Sequence, residues 1–372
     1  MSNILYNSNE VEIMRVIITA GGTGGHIYPA IAIINKIKEM EPKSEFIYIG
    51  THNRMEKDII PPLGIKYVGI EIYGLSTSIK LMGRNVKNVF LIQKAIKKCV
   101  SIIKEFKPDI VIGVGGYVTY PVIVAAKKMG IKTFIHEQNS IPGKSNRALA
   151  KKADKIGVSF KDSSKYFDES KVVFTGNPVS ENAIKSEKIS KTKYGLHVGK
   201  KSVLIFNGSL GSSAINNKMI DYLKSVKDKN YEVLYVTGKS SYEKFLENKF
   251  PDNVYVVPYV ENLSALMKDI DVIVSRAGAS SVAEIEALRI PAILIPSPYV
   301  ANNHQYYNAL SIVSCNAGLM IEEKDLTADI LSKNIDELLN DTEKVKEIKT
   351  NLGKISLDNS STIIYNEIKK MI

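Results

Sequence analysis

The chain alternates short runs of β-branched residues with longer stretches whose apolar positions recur at helical spacing. The short runs read as strands at 15–19, 45–49, 110–114, 132–136, 155–159 and 172–175, then at 202–206, 232–236, 254–257, 271–275 and 292–296. Most are apolar on both sides of the pleat, as in parallel strands covered by helices on both faces. The alternation predicts an α/β protein with doubly wound parallel sheets. A break falls at Gly176-Asn177-Pro178, and a polar, lysine-rich stretch follows it. The expected organisation is an extension at 1–13, a first domain at 14–178, a linker at 179–200 and a second domain at 201–355. A C-terminal helix at 356–372 is available to pack back on the first domain. Met14 is an alternative start. Ligands are expected between the halves, at the carboxyl ends of the strands.

A length of 372 residues suits two such domains, and 44% hydrophobic with 24% charged residues places the chain among globular proteins. The net charge of +11 favours anionic partners: nucleic acid, anionic lipid or a phosphorylated substrate. A composition rich in Lys, Ile and Asn together accounts for that charge equally well. No zinc knuckle, recognition-helix motif or interleaving of aromatic and basic residues points to nucleic acid. Cys99 and Cys315 lie far apart without metal spacing and read as reduced thiols of a cytosolic protein. No apolar run is long enough to span a bilayer, and no signal-peptide pattern opens the chain.

The candidate chemistry follows the strands. After 15–19 comes Gly21-Gly22-Thr23-Gly24-Gly25-His26. Glycines let backbone amides approach a phosphate with the positive end of a helix behind them. The run is neither a dinucleotide fingerprint nor a P-loop. A ligand-free turn is the alternative, although four glycines exceed what a turn needs. At a helix start His26 is expected to be neutral and able to accept a proton. Gly113-Val114-Gly115-Gly116-Tyr117 reads as another close-approach loop or as helix–strand packing. His136-Glu137-Gln138-Asn139 suits a polyhydroxylated substrate, with a solvent-exposed loop as the alternative.

In the second half, Gly208-Ser209-Leu210-Gly211-Ser212 offers amides and the Ser209 hydroxyl to a phosphate, or is a turn without ligand. The helix start around Ala279, Ser280 and Ser281 suits a diphosphate, and Glu284 suits ribose hydroxyls. Ser281 and Glu284 also have the spacing of a capping box. Asn302-Asn303-His304-Gln305 suits sugar hydroxyls or a polar surface loop. Asp269-Ile270-Asp271 has the D-x-D form of metal-dependent transferases. We reject it because both carboxylates fall at the wrong end of the sheet, and no other cluster has metal-ligand spacing. The segment 75–90 mixes Ile79, Leu81, Met82 and Phe90 with Lys80, Arg84 and Lys87. It reads as a surface that docks on an anionic membrane, or as an amphipathic helix facing the core.

Together these motifs resemble the MurG family, the bacterial transferases that add N-acetylglucosamine to lipid I to make lipid II in peptidoglycan synthesis. The matching segments are TAGGTGGHIYPA at 19–30, Arg54-Met55-Glu56, GVGGY at 113–117, HEQN at 136–139, GNPV at 176–179, GSLG at 208–211, TGK at 237–239, 276–284, and NNHQYYNA at 302–309. They run in family order across nearly the whole chain after residue 13.

The resemblance implies a GT-B fold, two Rossmann-like domains with the site between them. It implies UDP-N-acetylglucosamine as donor and undecaprenyl-linked lipid I as acceptor. The transfer inverts the anomeric carbon, with no metal or other cofactor. It places the protein peripherally on the cytoplasmic face of the membrane, with cell-wall or division proteins as candidate partners. Carried over by position, Ser209 and Ala279, Ser280 and Ser281 meet the diphosphate, and Glu284 holds the ribose. Val260 contacts uracil through its backbone, and His304 and Gln305 read the sugar. Thr23, Gly24, Gly25 and Asn139 close on donor and acceptor. Gly21, Gly22, Gly115, Gly116 and Tyr117 bind the acceptor's pyrophosphate end. His26 is the candidate base and Glu137 the second choice. Three positions depart from the family pattern. Ser180, kept among the donor-binding positions, stands where an arginine near the nucleotide is usual, Asn207 where glycine is common and Ser212 where alanine is common. The competing readings are another GT-B glycolipid transferase using a UDP-sugar, and a non-catalytic paralogue that binds lipid pyrophosphate.

Overall fold

The computed structural model describes residues 13–74, 82–208 and 213–372. The first sheet contains β1 (Arg15–Thr19), β2 (Glu45–Thr51), β3 (Lys66–Ile70), β4 (Ile110–Gly113), β5 (Lys132–Glu137), β6 (Lys155–Val158) and β7 (Val172–Phe174). The second contains β8 (Lys201–Phe206), β9 (Tyr231–Val236), β10 (Val254–Val257), β11 (Val272–Ser275), β12 (Ala292–Leu294) and β13 (Leu319–Met320). Their orders are β3-β2-β1-β4-β5-β6-β7 and β10-β9-β8-β11-β12-β13, and every pairing is parallel. Each order reverses once, between β1 and β4 and between β8 and β11. A crevice opens above such a reversal, at the carboxyl ends of the strands.

The helices of the first half are α1 (Gly24–Met40), α2 (Glu56–Ile59), α3 (Met82–Phe106), α4 (Thr119–Lys128), α5 (Lys144–Leu149) and α6 (Val179–Lys185). Those of the second are α7 (Ser213–Ser225), α8 (Tyr242–Leu246), α9 (Leu263–Met267), α10 (Ala279–Leu288), α11 (His304–Val313), α12 (Ala328–Asn340) and α13 (Thr342–Ile355). The last is α14 (Ser360–Lys369). Side chains alternate across a strand. Accordingly Val16 and Ile18 pack with Ile27, Ile33 and Ile37 of α1, whereas Ile17 packs on the other face with Cys99 of α3 and Val122 of α4. Ile364 and Ile368 of α14 join the α1 cluster, so the last helix completes a layer of the first half.

The structure adds two strands to the sequence expectation: β3, a partly exposed edge strand containing a glycine, and β13, which has two residues. The stretch 179–200 contains α6, which buries Val179, Ser180, Glu181 and Ala183. Glu181 is its anchor. The carboxylate pairs with buried Lys36 of α1 at 2.5 Å and accepts from Ser361 Oγ at 2.6 Å and the Thr362 amide at 2.9 Å. Burial opposes its charge, but the Lys36 ammonium, Ser361, Thr362 and Lys185 together hold the carboxyl down to about 2. One side chain thus joins α1, α6 and the start of α14.

Candidate active site between the two sheets

The loops after β1 and β4 lock into each other. The Gly21 amide donates to Gly115 O at 3.3 Å, and the Gly22 amide to Glu56 Oε2 at 3.2 Å. Glu56 is fully buried, and its other oxygen accepts from the Thr51 amide at 3.0 Å and the Thr51 hydroxyl at 2.6 Å. Gly116, at φ +85°, leaves no room for a side chain, since a Cβ would lie 2.4 Å from Gly21 O. The Gly21 and Gly22 amides therefore both have partners within the protein. The open donors are the first-turn amides of α1, at Gly24 and Gly25 behind Thr23, which have no partner within a helix. Tyr117 lies at the rim, its hydroxyl accepting from Arg54 Nε at 3.4 Å.

His26 projects from that first turn. Its Nδ1 is 3.1 Å from Gly21 O. A carbonyl only accepts, so Nδ1 carries the hydrogen and Nε2 the lone pair. Burial lowers its pKa below 6.5 against the raising pull of Glu137 and the Gly21 carbonyl, with weaker influences from His304 and Glu56. The imidazole is therefore neutral at pH 7 with an accepting Nε2.

The 136–139 segment is not an exposed loop. His136, Glu137 and Gln138 are all buried. Glu137 accepts four hydrogen bonds: from the Asn139 amide at 2.9 Å, Asn139 Nδ2 at 3.3 Å, the Gly143 amide at 3.0 Å and Asn146 Nδ2 at 2.8 Å. Its oxygens fasten the loop after β5. His136 is pushed down to about 4 by burial and donates from Nε2 to Gly176 O at 3.0 Å.

In the second half, α10 starts behind β11 with Gly278 as its N-cap. Ser281 is then the third helical residue, so the capping-box reading of Ser281 and Glu284 fails. The amides of Ala279, Ser280 and Ser281 belong to the open first turn, and Ser280 Oγ is buried without a partner. Glu284, one turn on, has neither a hydrogen bond nor an ion pair among the described residues, and burial raises its carboxyl to about 7. Tyr28 of α1 reaches across the cleft to lie beside Tyr259 and Glu284. Val260 is buried next to Tyr259, whose ring lies 5.0 Å from Lys239 Nζ. Asn302 and Asn303 adopt φ of 56° and 50°, which Asn tolerates, and deliver His304 to the start of α11. His304 Nδ1 donates to Ala301 O at 2.9 Å, and Gln305 Oε1 accepts from the Ser297 amide at 2.8 Å. Ser209 and Ser212 lie outside the described residues.

Two departures from the family pattern have structural partners. Ser180 is buried and donates to Ala283 O of α10 at 3.3 Å, which ties it to the helix that carries Glu284. Asn207 Nδ2 lies 3.2 Å from Tyr235 Oη, which itself donates to Asn216 Oδ1 at 2.6 Å. Asp269 pairs with Lys188 at 2.5 Å, and Asp271 accepts from the Ser202 amide at 2.8 Å. Both serve the amino ends of strands. No His, Cys, Asp and Glu cluster among the described residues could hold a metal ion. Of the 75–90 segment, 75–81 lie outside the described residues, whereas Val89 and Phe90 on α3 face solvent, Phe90 with 71% of its surface exposed.

Sequence reasoning assigned no role to Glu56, Tyr28 or Asn308. Asn308 is fully buried, and its side chain spans the seam between the halves. Its Oδ1 accepts from Ser140, and its Nδ2 donates to Asn139 Oδ1 at 3.3 Å and Ala277 O at 3.1 Å. The available signal was a polar residue in register with the core positions Ala309 and Ile312 of α11.

Residues 16–158 match the glycosyltransferase family 28 N-terminal domain, and residues 202–361 match the family 28 C-terminal domain. A UDP-N-acetylglucosamine–N-acetylmuramyl-(pentapeptide) pyrophosphoryl-undecaprenol N-acetylglucosamine transferase 2 of Bacillus thuringiensis (strain Al Hakam) is 44% identical over 364 residues, covering 96% of this chain and 100% of the relative. The transferase of the same name from Bacillus pumilus (strain SAFR-032) is 44% identical over 363 residues, covering 96% and 99%. The crystal structure of Acinetobacter baumannii MurG superimposes with a TM-score of 0.76 at 26% identity, over 96% of this chain and 99% of that one. With both halves matched and the likeness running nearly end to end, the chain belongs to glycosyltransferase family 28 and, within it, to the MurG family of GT-B transferases.

Proposed function

We propose that the cleft transfers N-acetylglucosamine from UDP-N-acetylglucosamine to the C4 hydroxyl of the muramoyl sugar of lipid I, with His26 as the base. The carrying observation is the fixed tautomer of His26. Its Nδ1–H is held by Gly21 O, so Nε2 is left to accept a proton at a helix start suited to an anion. In the reaction the acceptor O4–H proton passes to Nε2 as the O4–C1 bond forms. The bond from C1 to the diphosphate breaks, UDP leaves with the electron pair, and the product is the β-linked disaccharide. The growing diphosphate charge meets the open amides of α10 at Ala279, Ser280 and Ser281, a role a cation plays in metal-dependent transferases. Glu284 takes the ribose hydroxyls, and Val260, His304, Gln305 and Asn139 line the remainder of the donor site. The glycine loop at 21–25 faces the acceptor's pyrophosphate, with the Gly24 and Gly25 amides as its open donors. Glu137, with four donors on its carboxylate, positions this loop rather than taking the proton.

Exposed Val89 and Phe90 beside exposed Lys94, Lys97 and Lys98 on α3 suit peripheral docking on the anionic cytoplasmic leaflet. No helix among the described residues is long and apolar enough to cross a membrane. The test is transfer of radiolabel from UDP-N-acetylglucosamine to a short-chain lipid I analogue with chelator present. Label in the lipid supports both the reaction and its metal independence. Bound UDP without transfer would overturn the reading.

A further inference from the structure

Gln138 is buried, with 1% of its surface exposed. Its Nε2 donates to Val114 O at 3.0 Å and lies 3.0 Å from His136 Nδ1 and 3.2 Å from His136 O. Three acceptors around the nitrogen fix which way the amide faces. Its Oε1 has no hydrogen-bond partner, although buried acceptors are normally paired. That oxygen points to the space left by the missing side chain of Gly115. A Cβ there would lie 3.3 Å from Gln138 Oε1, 2.6 Å from His26 Cδ2 and 3.0 Å from His26 Nε2. One small space, kept open by a glycine at φ +104°, therefore holds the unpartnered carbonyl and the working edge of the imidazole.

We propose that Gln138 is a positioning residue for the base: its Oε1 is the acceptor that stabilises the imidazolium formed when His26 takes the acceptor's proton. The inference rests on the reading of His26 as base. In the resting enzyme Nε2 has no hydrogen to give, so Oε1 stays unpartnered. Once the proton leaves the sugar O4 and reaches Nε2, the Cδ2–H and Nε2–H edge turns positive and faces Oε1. The charged and titratable groups around His26 are Glu137 on β5, Glu56 on α2 and His304 on α11. Glu137 already accepts four hydrogen bonds and Glu56 three. His304 is held through Nδ1 by Ala301. Gln138 Oε1 is the uncommitted acceptor beside the ring. The contacts to Val114 and His136 use only the amide nitrogen and leave the oxygen free to accept.

The test is histidine side-chain NMR on the full chain, with His26 assigned among the five histidines by His26→Gln. Gln138→Met removes the oxygen at similar volume. It is expected to lower the His26 pKa by about half a unit or more and kcat by about tenfold, with the donor KM unchanged. Gln138→Glu keeps the shape, adds charge and is expected to raise that pKa. A folded Gln138→Met with an unmoved His26 pKa overturns the proposal, whatever its activity. Should Gln138→Met not fold, Gln138→Glu decides, and an unmoved pKa overturns it. Failure of the underlying reading shows separately: His26→Ala would then turn over normally, whereas the Gln138 variants report on the ring directly.

Discussion

Asn308 holds Ser140 through a single oxygen: its Oδ1 accepts from the Ser140 amide and from the Ser140 hydroxyl, each at 2.9 Å. The two residues belong to opposite halves, and the contact is buried. Removing the side chain leaves a buried amide without a partner. Asn308→Ala is expected to cost about 2 kcal/mol of stability and about tenfold in turnover, because Asn139 and Ser140 lose their seat against the donor half. Urea unfolding and steady-state kinetics check this. An unchanged midpoint with unchanged kcat would remove the seam from the account.

Glu284 should make donor binding depend on pH. Burial raises its carboxyl to about 7, above the ordinary 4.5, so the folded protein holds this proton more tightly than the unfolded chain. Stability from this group is therefore full below pH 4.5 and declines as pH rises through 7. Ribose hydroxyls favour the carboxylate, so the KM for UDP-N-acetylglucosamine should fall as pH rises from 6 to 8, with a proton released on binding. Calorimetry in buffers of different ionisation enthalpy measures that proton. Glu284→Gln should abolish the release and raise KM by about tenfold. A pH-independent KM in the parent would refute the role.

Replacing Gly115 should disable the base without touching the donor. A Cβ there would meet His26 Cδ2 at 2.6 Å on a backbone at φ +104°. Gly115→Ala is expected to lower kcat about a hundredfold or more and leave UDP affinity within about twofold, as His26→Ala should. Because burial lowers the His26 pKa below 6.5, the parent's kcat at saturating donor should rise with pH and level off before neutrality. A limb above pH 7 would point to another group.

The two-domain α/β plan was legible because central parallel strands are continuous apolar runs. β3 was hidden by Gly69 and by its half-exposed edge position, and α6 by lysines flanking only seven helical residues. The positions of the site loops followed from strand ends. Their internal bonding did not: nothing in a run of four glycines says that Gly22 answers a carboxylate 34 residues away. Asn308 was passed over because its partners Ser140, Asn139 and Ala277 come from distant segments of the chain, and Gln138 was read as facing a sugar because its bonding to Val114 and His136 does not show in the sequence.

Breaking the Glu181 cluster should be among the costliest single changes. The carboxyl stands at about 2 against an ordinary 4.5, so its stabilisation is complete above pH 4.5 and is lost as pH falls toward 2. Glu181→Ala leaves Lys36 buried without its main partner and is expected to cost about 3–5 kcal/mol at pH 7. Denaturant titration of the variant measures it. A loss under about 1 kcal/mol would mean that solvent reaches Lys36.

Two segments of chain cross between the halves, one through α6 and one into α14, and both are fastened to that carboxylate. The crossings therefore converge on one buried acidic group, so protonating or deleting it loosens both connections between the halves together rather than one at a time.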